Sequence, residues 1–272
     1  MKKVKWIYVI LCCIYASLLS AQEINDWKLV HSYSNKNISA WDVNPLSQII
    51  LASHSKIFKL DTNFQITFTQ SDASFGNVSI LDAAHSLKTL AFSENNQMLG
   101  ILDNALTFQE GKADMSYFQI SSATFVCYSE QSQRFWIYDE DNSRLVCFQG
   151  VKSNQKQSEI TNVSGITGNV APTSLLEKNH QLFLFYQGDG VFLFDYYGSL
   201  IRKYEEKQAI QIYPTDKFIY LLYPEYLVRL DRETDERKEV TLPTKGIQEF
   251  RVMEKFVFFK DKSGIKKYYL KE

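Results

Sequence analysis

The sequence has few cysteines, few prolines and no excess of positive charge. Of its 272 residues, 4 are Cys and 5 are Pro, and 30 Lys plus Arg are balanced by 31 Asp plus Glu. Nucleic-acid binding needs a concentrated basic surface, so this balance gives no support for a nucleic-acid partner. A chain of this length can bury a sizeable core without disulfide staples.

After residue 21 the chain has no apolar run that approaches the roughly 20 residues needed to span a membrane. The first residues are basic, an uncharged stretch follows from Trp6 to Ala21, and Gln22-Glu23 come next. This pattern predicts a secretory signal peptide over residues 1–21 and a mature chain, residues 22–272, that does not span the membrane. An uncleaved anchor is the alternative.

The predicted signal peptide also indicates where the protein is located. Its general sequence pattern resembles the signal peptides of Gram-negative Bacteroidetes, which implies export to the periplasm, the outer membrane or the medium. Cys12 raises a lipoprotein alternative, although Leu11 before it is not the small residue that lipidation signals normally have. A lipid-anchored assembly factor is therefore a third functional hypothesis.

Two cysteines remain after the leader, Cys127 and Cys147. In an oxidising compartment they could form a disulfide. The favoured interpretation is two free, buried thiols on neighbouring strands, because Cys then behaves as a small hydrophobic residue.

Aromatic residues are abundant, with 16 Tyr and 19 Phe. Short alternating runs rich in Phe, Tyr, Ile, Leu and Val occur throughout, and Asn, Asp, Ser and Gly interrupt them. Stretches with apolar residues at helical spacing are few. The pattern predicts an all-β protein.

A short motif, an apolar residue followed by Asp and a polar turn, recurs along the chain. Its copies are Leu60-Asp61, Leu102-Asp103, Phe194-Asp195 and Leu230-Asp231. An Asp carboxylate can accept hydrogen bonds from nearby backbone N–H groups and cap a turn. We therefore interpret these aspartates as structural rather than catalytic.

A second pattern, a strand, a polar break and another strand, lies upstream of each copy and occurs six times in all, which gives six units whose starts are 37 to 49 residues apart. Four short strands per unit of about 40 residues are typical of a β-propeller. The sixth unit has only three strands, and the segment that begins at Trp27 is left over. We expect it to complete the last blade and close the ring, which removes an exposed sheet edge.

The predicted fold is thus a six-bladed β-propeller of four-stranded blades in a single domain. The chain resembles the NHL/TolB-like group of propellers at the level of architecture. Trp41-Asp42 is the only WD dipeptide and no kelch double glycine occurs. Five blades with one decorated blade, or a β-sandwich or jelly roll, are the alternatives.

The third unit departs from the others. It lacks the apolar-Asp turn and is followed by a polar stretch from Gln149 to Pro172. We expect an outer strand near Ser158–Thr161 and an exposed loop there.

Known catalytic motifs are missing. The sequence has no G-x-S-x-G nucleophile elbow and no glycine-rich phosphate loop, and its four histidines are too far apart in sequence for a local metal motif. We therefore predict no catalytic residue and no metal ligand.

A propeller binds mostly at one mouth of its channel, built from the connections between blades, the b–c turns and the ends of the innermost strands. The candidate binding residues on the innermost strands are Trp41, Asp42, Asp82, Tyr128, Glu177, Tyr213 and Arg251. The favoured function is a non-catalytic module that binds a protein or glycan partner in the cell envelope, with aromatic side chains as anchors.

The alternative functional hypothesis comes from a resemblance to six-bladed propellers of gluconolactonase and paraoxonase type. It implies a calcium-dependent hydrolase or lactonase with its site in the channel. Asp42, Asp82 and Glu177 would supply the oxygen ligands that Ca²⁺ prefers. The motifs around those families' ligands are not recognisable in this sequence.

Overall fold

The computed structural model describes residues 26–271, apart from Ser86, Ser132 and the side chain of Glu110. The predicted signal peptide, residues 1–21, and Cys12 lie outside the described residues.

Six four-stranded antiparallel sheets form the blades, as predicted. Strands a to d of each blade run from the centre outward. Blades 1 to 3 comprise β2 (Ile38–Val43), β3 (Ile49–Ser53), β4 (Lys56–Leu60) and β5 (Ile66–Ser71); β6 (Ile80–Asp82), β7 (Lys88–Ser93), β8 (Met98–Asp103) and β9 (Phe108–Asp114); and β10 (Ala123–Tyr128), β11 (Arg134–Asp139), β12 (Arg144–Gln149) and β13 (Lys156–Ile160). Blades 4 to 6 comprise β14 (Ser174–Lys178), β15 (Gln181–Tyr186), β16 (Gly190–Asp195) and β17 (Leu200–Tyr204); β18 (Gln211–Pro214), β19 (Phe218–Leu222), β20 (Tyr226–Asp231) and β21 (Arg237–Thr241); and β22 (Glu249–Met253), β23 (Phe256–Asp261), β24 (Gly264–Leu270) and β1 (Trp27–Ser34).

The N-terminal strand closes the ring, which confirms the prediction from the unpaired segment at Trp27. β1 pairs antiparallel with β24 from Trp27 opposite Leu270 to Ser34 opposite Gly264. The Trp27 ring is buried and lies 5.2 Å from the Phe259 ring, edge to face. The sixth blade is therefore built from both ends of the described chain.

The c–d turns confirm the capping role of the recurrent aspartates. In each turn Oδ1 accepts hydrogen bonds from two backbone N–H groups further along the turn, at 2.8 to 3.1 Å. The four residues that do this are Asp61, Asp103, Asp195 and Asp231.

An apolar cluster fills each joint between neighbouring blades. At the joint of blades 3 and 4, for example, Trp136 and Tyr138 pack with Leu184 and Phe194, and all four are fully buried. Each such side chain contributes roughly 1.5–3 kcal/mol by leaving water. The joints hold the blades at fixed angles around the axis.

Blade 3 differs from the others, as the sequence indicates. Its outer strand β13 begins at Lys156, two residues before the predicted position, and a short helix, α1 (Val163–Thr167), follows within the predicted loop. A 3₁₀ helix, Met115–Phe118, precedes the blade.

Cys127 and Cys147 are free and buried, but they do not lie on neighbouring strands as we expected. Cys127 on β10 and Cys147 on β12 both pair with Trp136 of the intervening strand β11. Two strand spacings put their Cα atoms roughly 10 Å apart. A disulfide needs a separation below about 7 Å, so the fold keeps the two thiols apart.

Candidate functional site

The six innermost strands surround a central channel with a volume of about 800 Å³. These strands all run in the same direction along the axis. Their starts form one mouth, together with the connections from the preceding blades, which we call the d–a mouth. Their ends lead into the turns between strands a and b and form the other mouth, the a–b mouth.

All seven candidate residues line this channel. Asp82, Glu177, Tyr213 and Arg251 are half-buried. Three are more deeply covered: Trp41 exposes 1% of its surface, Tyr128 4% and Asp42 8%. Two of the three aromatic side chains expected as anchors, Trp41 and Tyr128, are thus packed into the wall and offer little surface to a partner.

Arg251 joins the last blade to the first. Its Nε donates to Asp42 Oδ1 at 2.6 Å and one terminal nitrogen donates to the carbonyl of Trp41 at 3.1 Å. The guanidinium carbon lies 4.9 Å from the centre of the Trp41 ring, a cation–π contact. The indole Nε1 of Trp41 donates to Glu249 at 2.9 Å, which ties the same two blades together again.

Asp42 and Asp82 repeat one contact around the ring. Asp42 Oδ2 accepts from the backbone N–H of Ala83 in blade 2 at 2.7 Å. Asp82 Oδ2 accepts from the backbone N–H of Tyr128 in blade 3 at 2.8 Å. Each carboxylate therefore reaches the innermost strand of the next blade, or the residue that follows it.

Asp82 is electrostatically unusual. Burial, followed by the nearby charge of Asp42, raises the pKa of its carboxyl to about 7, although the N–H groups of Ala84 and Tyr128 partly offset this. A carboxyl that exchanges its proton near neutral pH is often part of a functional site, but a structural ring of charges produces the same shift.

Glu177 makes the corresponding link backward, from blade 4 to blade 3. Its Oε1 accepts from the Ser129 hydroxyl and the Glu130 N–H, both at 3.1 Å, and its Oε2 accepts from Trp136 Nε1 at 2.6 Å. Burial raises its pKa, and the bonds from Ser129 and Trp136 counteract that rise.

Two glutamines that sequence reasoning missed make similar links. Gln211 accepts from the N–H of Phe250 in blade 6 at 2.7 Å, and Gln97 bonds both the N–H and the carbonyl of Ala123 in blade 3. Gln211 begins an innermost strand, a position where a polar residue could have been noticed. Gln97 lies in a b–c turn and carries no such signal.

The residues of the b–c turns do not line the channel. His54, Glu225 and Asp261 lie in or at the edge of such turns, and none of them is among the described lining residues. The d–a mouth is lined mostly by neutral polar residues, Ser39, Ser79, Thr173, Ser174 and Gln211, and its carboxylate, Glu249, is paired with Lys260 at 2.5 Å.

One group of described side chains has the composition of a metal site. Potential ligand atoms of Glu130, Glu177 and His180 all lie within 4.8 Å of one another at the a–b mouth. Both oxygens of Glu177 already accept hydrogen bonds, and Glu130 is bound by Lys178 Nζ at 3.0 Å. Asp42 and Asp82, the other suggested calcium ligands, are not part of this group.

Comparison with solved structures shows the fold. A catalytically inactive virginiamycin B lyase from Staphylococcus aureus with quinupristin superposes with a TM-score of 0.62 at 10% identity, covering 90% of this chain and 99% of that one. A streptogramin B lyase gives 0.58 at 12% identity, covering 90% and 98%. BamB from Moraxella catarrhalis gives 0.45 at 11% identity, covering 82% and 66%.

Sequence comparison adds nothing to this likeness. No protein-family model matches the chain, and no curated protein does. At such low identity the two lyase structures establish the propeller fold alone. Within the described residues, no helix is long and apolar enough to cross a membrane.

Proposed function

We propose that this chain is an exported, non-catalytic propeller that binds a protein partner in the cell envelope through its a–b mouth. The observation that carries the proposal is the use of the channel carboxylates. Asp42, Asp82 and Glu177 each bond a neighbouring blade, so the acidic groups that a hydrolase would need are engaged in holding the ring.

The rim of the a–b mouth supplies a contact surface. Leu46 and Leu87 lie on the a–b turns of the adjacent blades 1 and 2, with 52% and 61% of their surfaces exposed. Apolar side chains beside a charged mouth suit a protein surface better than a glycan. The export part of the proposal is supported by the leader pattern of residues 1–21.

Two enzymatic alternatives compete with this proposal. The calcium-dependent hydrolase would need oxygen ligands free to bind a cation in the channel. A lyase would resemble the structural neighbours in activity as well as fold, but at 10% to 12% identity the fold is all that is shared. Fold alone does not establish function.

The test is an affinity capture of the tagged mature protein from its own crosslinked cell envelope, with and without EDTA. We expect a specific protein partner that survives EDTA. Capture of glycan alone would replace the protein partner in the proposal. Recovery that depends on a divalent metal, or lactonase activity restored by Ca²⁺, would overturn it in favour of the hydrolase.

A further inference from the structure

We propose that the a–b mouth receives an organic cation, the ammonium or guanidinium group of a Lys or Arg side chain on the partner. This inference rests on the proposed function, because it names the chemistry that the same site recognises. It comes from the charge of the channel wall, the pairing of its carboxylates and the apolar rim around them.

The channel is strongly negative although the whole chain is nearly neutral. Its lining contains seven carboxylates and two permanent cations, Lys178 and Arg251. The chain as a whole has a net charge of −1. A cleft lined by one sign of charge focuses its field and raises the local concentration of ligands of the opposite sign.

The negative charge is concentrated at the a–b mouth. Glu130, Asp216 and Glu254 lie on the a–b turns of blades 3, 5 and 6, and all three are exposed. Among the lining residues at this end Lys178 is the permanent cation, and it bridges Glu130 and Asp216 at 3.0 Å each; Lys217 and Lys255 lie on the same turns but outside the lining. The opposite mouth is lined largely by neutral polar residues, so a cation is drawn toward one end of the channel.

Two carboxylates at this end have no cation of their own. Among the described residues, Asp82 accepts hydrogen bonds from backbone N–H groups alone, and Glu254 forms no ion pair with Lys or Arg. Arg251, the second permanent cation, is committed to Asp42. A ligand cation would therefore meet the unpaired charge of Glu254, and its own charge would favour the ionised form of Asp82, whose pKa is raised to about 7.

The surroundings also fit the stem of a long basic side chain. Lys and Arg lay their methylene groups along apolar surface while the charged end reaches polar groups. Exposed Leu46 and Leu87, on the a–b turns of blades 1 and 2, offer such surface on the same face of the ring as the acidic groups. Arg251, already held over Trp41 inside the channel, shows that the wall accommodates a guanidinium.

A divalent metal fits this site less well. Metal ions need several free oxygen ligands that converge at short distance. The cluster of Glu130, Glu177 and His180 has its Glu177 oxygens occupied by neutral donors and its Glu130 bound by Lys178. A single ammonium group needs far less convergence.

The experiment measures binding of a fluorescently labelled hexalysine peptide to the mature protein by anisotropy, with free spermidine in a parallel titration. The test variant is Glu130→Gln with Glu254→Gln. The matched control is Glu94→Gln with Asp141→Asn, which removes the same charge from b–c turns on the opposite face. Thermal unfolding verifies that both variants fold, and Glu254→Gln alone, at an exposed turn, replaces the double variant if it does not.

We expect the test variant to bind the peptide about three- to tenfold more weakly than the control, with a difference that shrinks as salt rises. Equal binding by the two variants, or no binding by the wild type at low salt, would overturn the cation inference. Spermidine binding equal to peptide binding would assign the site to a free polyamine rather than a protein side chain.

Failure of this inference is distinguishable from failure of the proposed function. If the envelope capture recovers the same protein partner with the test variant as with the wild type, the propeller is a binding module and the cationic recognition is wrong. If wild-type protein captures no partner at all, the proposed function fails as well.

Discussion

Arg251 and Asp42, 209 positions apart in sequence, form an ion pair across the joint between the last blade and the first. The Nε–Oδ1 distance is 2.6 Å, and 15% of the Arg251 side chain and 11% of the Asp42 side chain are exposed. The contact adds a polar link at the channel to the pairing of β1 with β24 at the periphery. The ring is thus closed at both its inner and its outer edge.

Removing one partner of this pair should destabilise the protein strongly. Asp42→Ala leaves the Arg251 guanidinium buried without its carboxylate, which typically costs about 3–5 kcal/mol. We expect Asp42→Ala with Arg251→Met to recover part of that loss. Urea unfolding measures the free energy of unfolding of each variant.

The exposed pair Arg202–Asp235 provides the matched control. Its atoms are 2.7 Å apart, but 41% and 50% of the two side chains are exposed. Asp235→Asn, which keeps a residue type that tolerates the φ of +60° at this position, should cost no more than about 1 kcal/mol. A loss for Asp42→Ala as small as that control would show that the channel pair does not hold the ring.

Asp82 should titrate close to neutral pH. Burial and the charge of Asp42 raise its pKa to about 7, so a carboxyl carbon NMR titration should find its midpoint there. Asp42→Asn should lower that midpoint, because it removes the repelling charge. A midpoint in the ordinary range near 4 in the wild type would contradict the burial of this carboxyl in the channel wall.

The same shift predicts a direction for stability. The folded state holds the Asp82 proton more tightly than the unfolded chain, so this stabilising contribution is full below about pH 4 and is lost as pH rises to about 7. Wild type should therefore lose stability relative to Asp82→Asn over that interval. Asp195 should show the opposite sign at lower pH, since the Ser199 N–H lowers its pKa: wild type should gain stability relative to Asp195→Asn as pH rises to about 4 and keep that gain above it.

The architecture could be predicted from the sequence because the number of predicted strands determines how the propeller closes. The sequence has six repeats, and the last one lacks a strand. Only pairing of the unassigned segment at Trp27 with this last repeat removes the exposed edge. The turn aspartates were equally predictable, because an Asp caps its turn through backbone N–H groups only two to four residues away.

The site was predictable only in its position. That Asp42 or Glu177 faces the channel follows from its place on an innermost strand, but its partner on another blade depends on the angle between blades. The bond from Trp136 to Glu177 links residues 41 positions apart, and no local pattern encodes it. The burial of Trp41 and Tyr128 is likewise set by packing at the joints, which composition cannot reveal.

The two thiols should be unreactive in the folded protein. Burial raises the pKa of Cys127 well above its usual value and that of Cys147 to about 12, and the thiolate is the reactive form. An Ellman assay on the mature protein should detect no thiol under native conditions and two after denaturation. Ser71→Cys, at an exposed position of β5, should react at once and serves as the positive control.

A disulfide between Cys127 and Cys147 would contradict this arrangement. Non-reducing mass measurement after alkylation in denaturant distinguishes two labelled thiols from a bond. A bond in the native protein would require β10 and β12 to approach across β11, and so would also refute the pairing of both cysteines with Trp136.

The chain should not consume quinupristin, the compound bound to one of its structural neighbours. The channel carboxylates bond neighbouring blades, and the ring of the channel residue His85 packs edge-on against the Tyr128 ring at 4.9 Å. Mass spectrometry of quinupristin incubated with the mature protein should show no loss of the compound. Turnover that His85→Ala abolishes would place an active site in the channel and overturn the non-catalytic proposal.

Ring closure can be tested at a single glycine. Gly264 has a φ of +144°, and a Cβ there would lie 2.0 Å from the carbonyl oxygen of Tyr33 in β1. Gly264→Ala should therefore force β1 away from β24 and cost about 3 kcal/mol or more. Hydrogen exchange should show protection lost over residues 27–34.

Two other glycines make the result specific to closure. Gly190 occupies the equivalent position in blade 4, where a Cβ would lie 2.1 Å from the carbonyl oxygen of Tyr204, so Gly190→Ala should expose β17 and leave β1 protected. Gly188 has a φ of +90° with open space around it, so its alanine variant reports backbone strain alone, about 1–2 kcal/mol. Unchanged protection of residues 33 and 34 in Gly264→Ala would contradict the close approach of β1 to Gly264, and with it the pairing of Ser34 opposite Gly264.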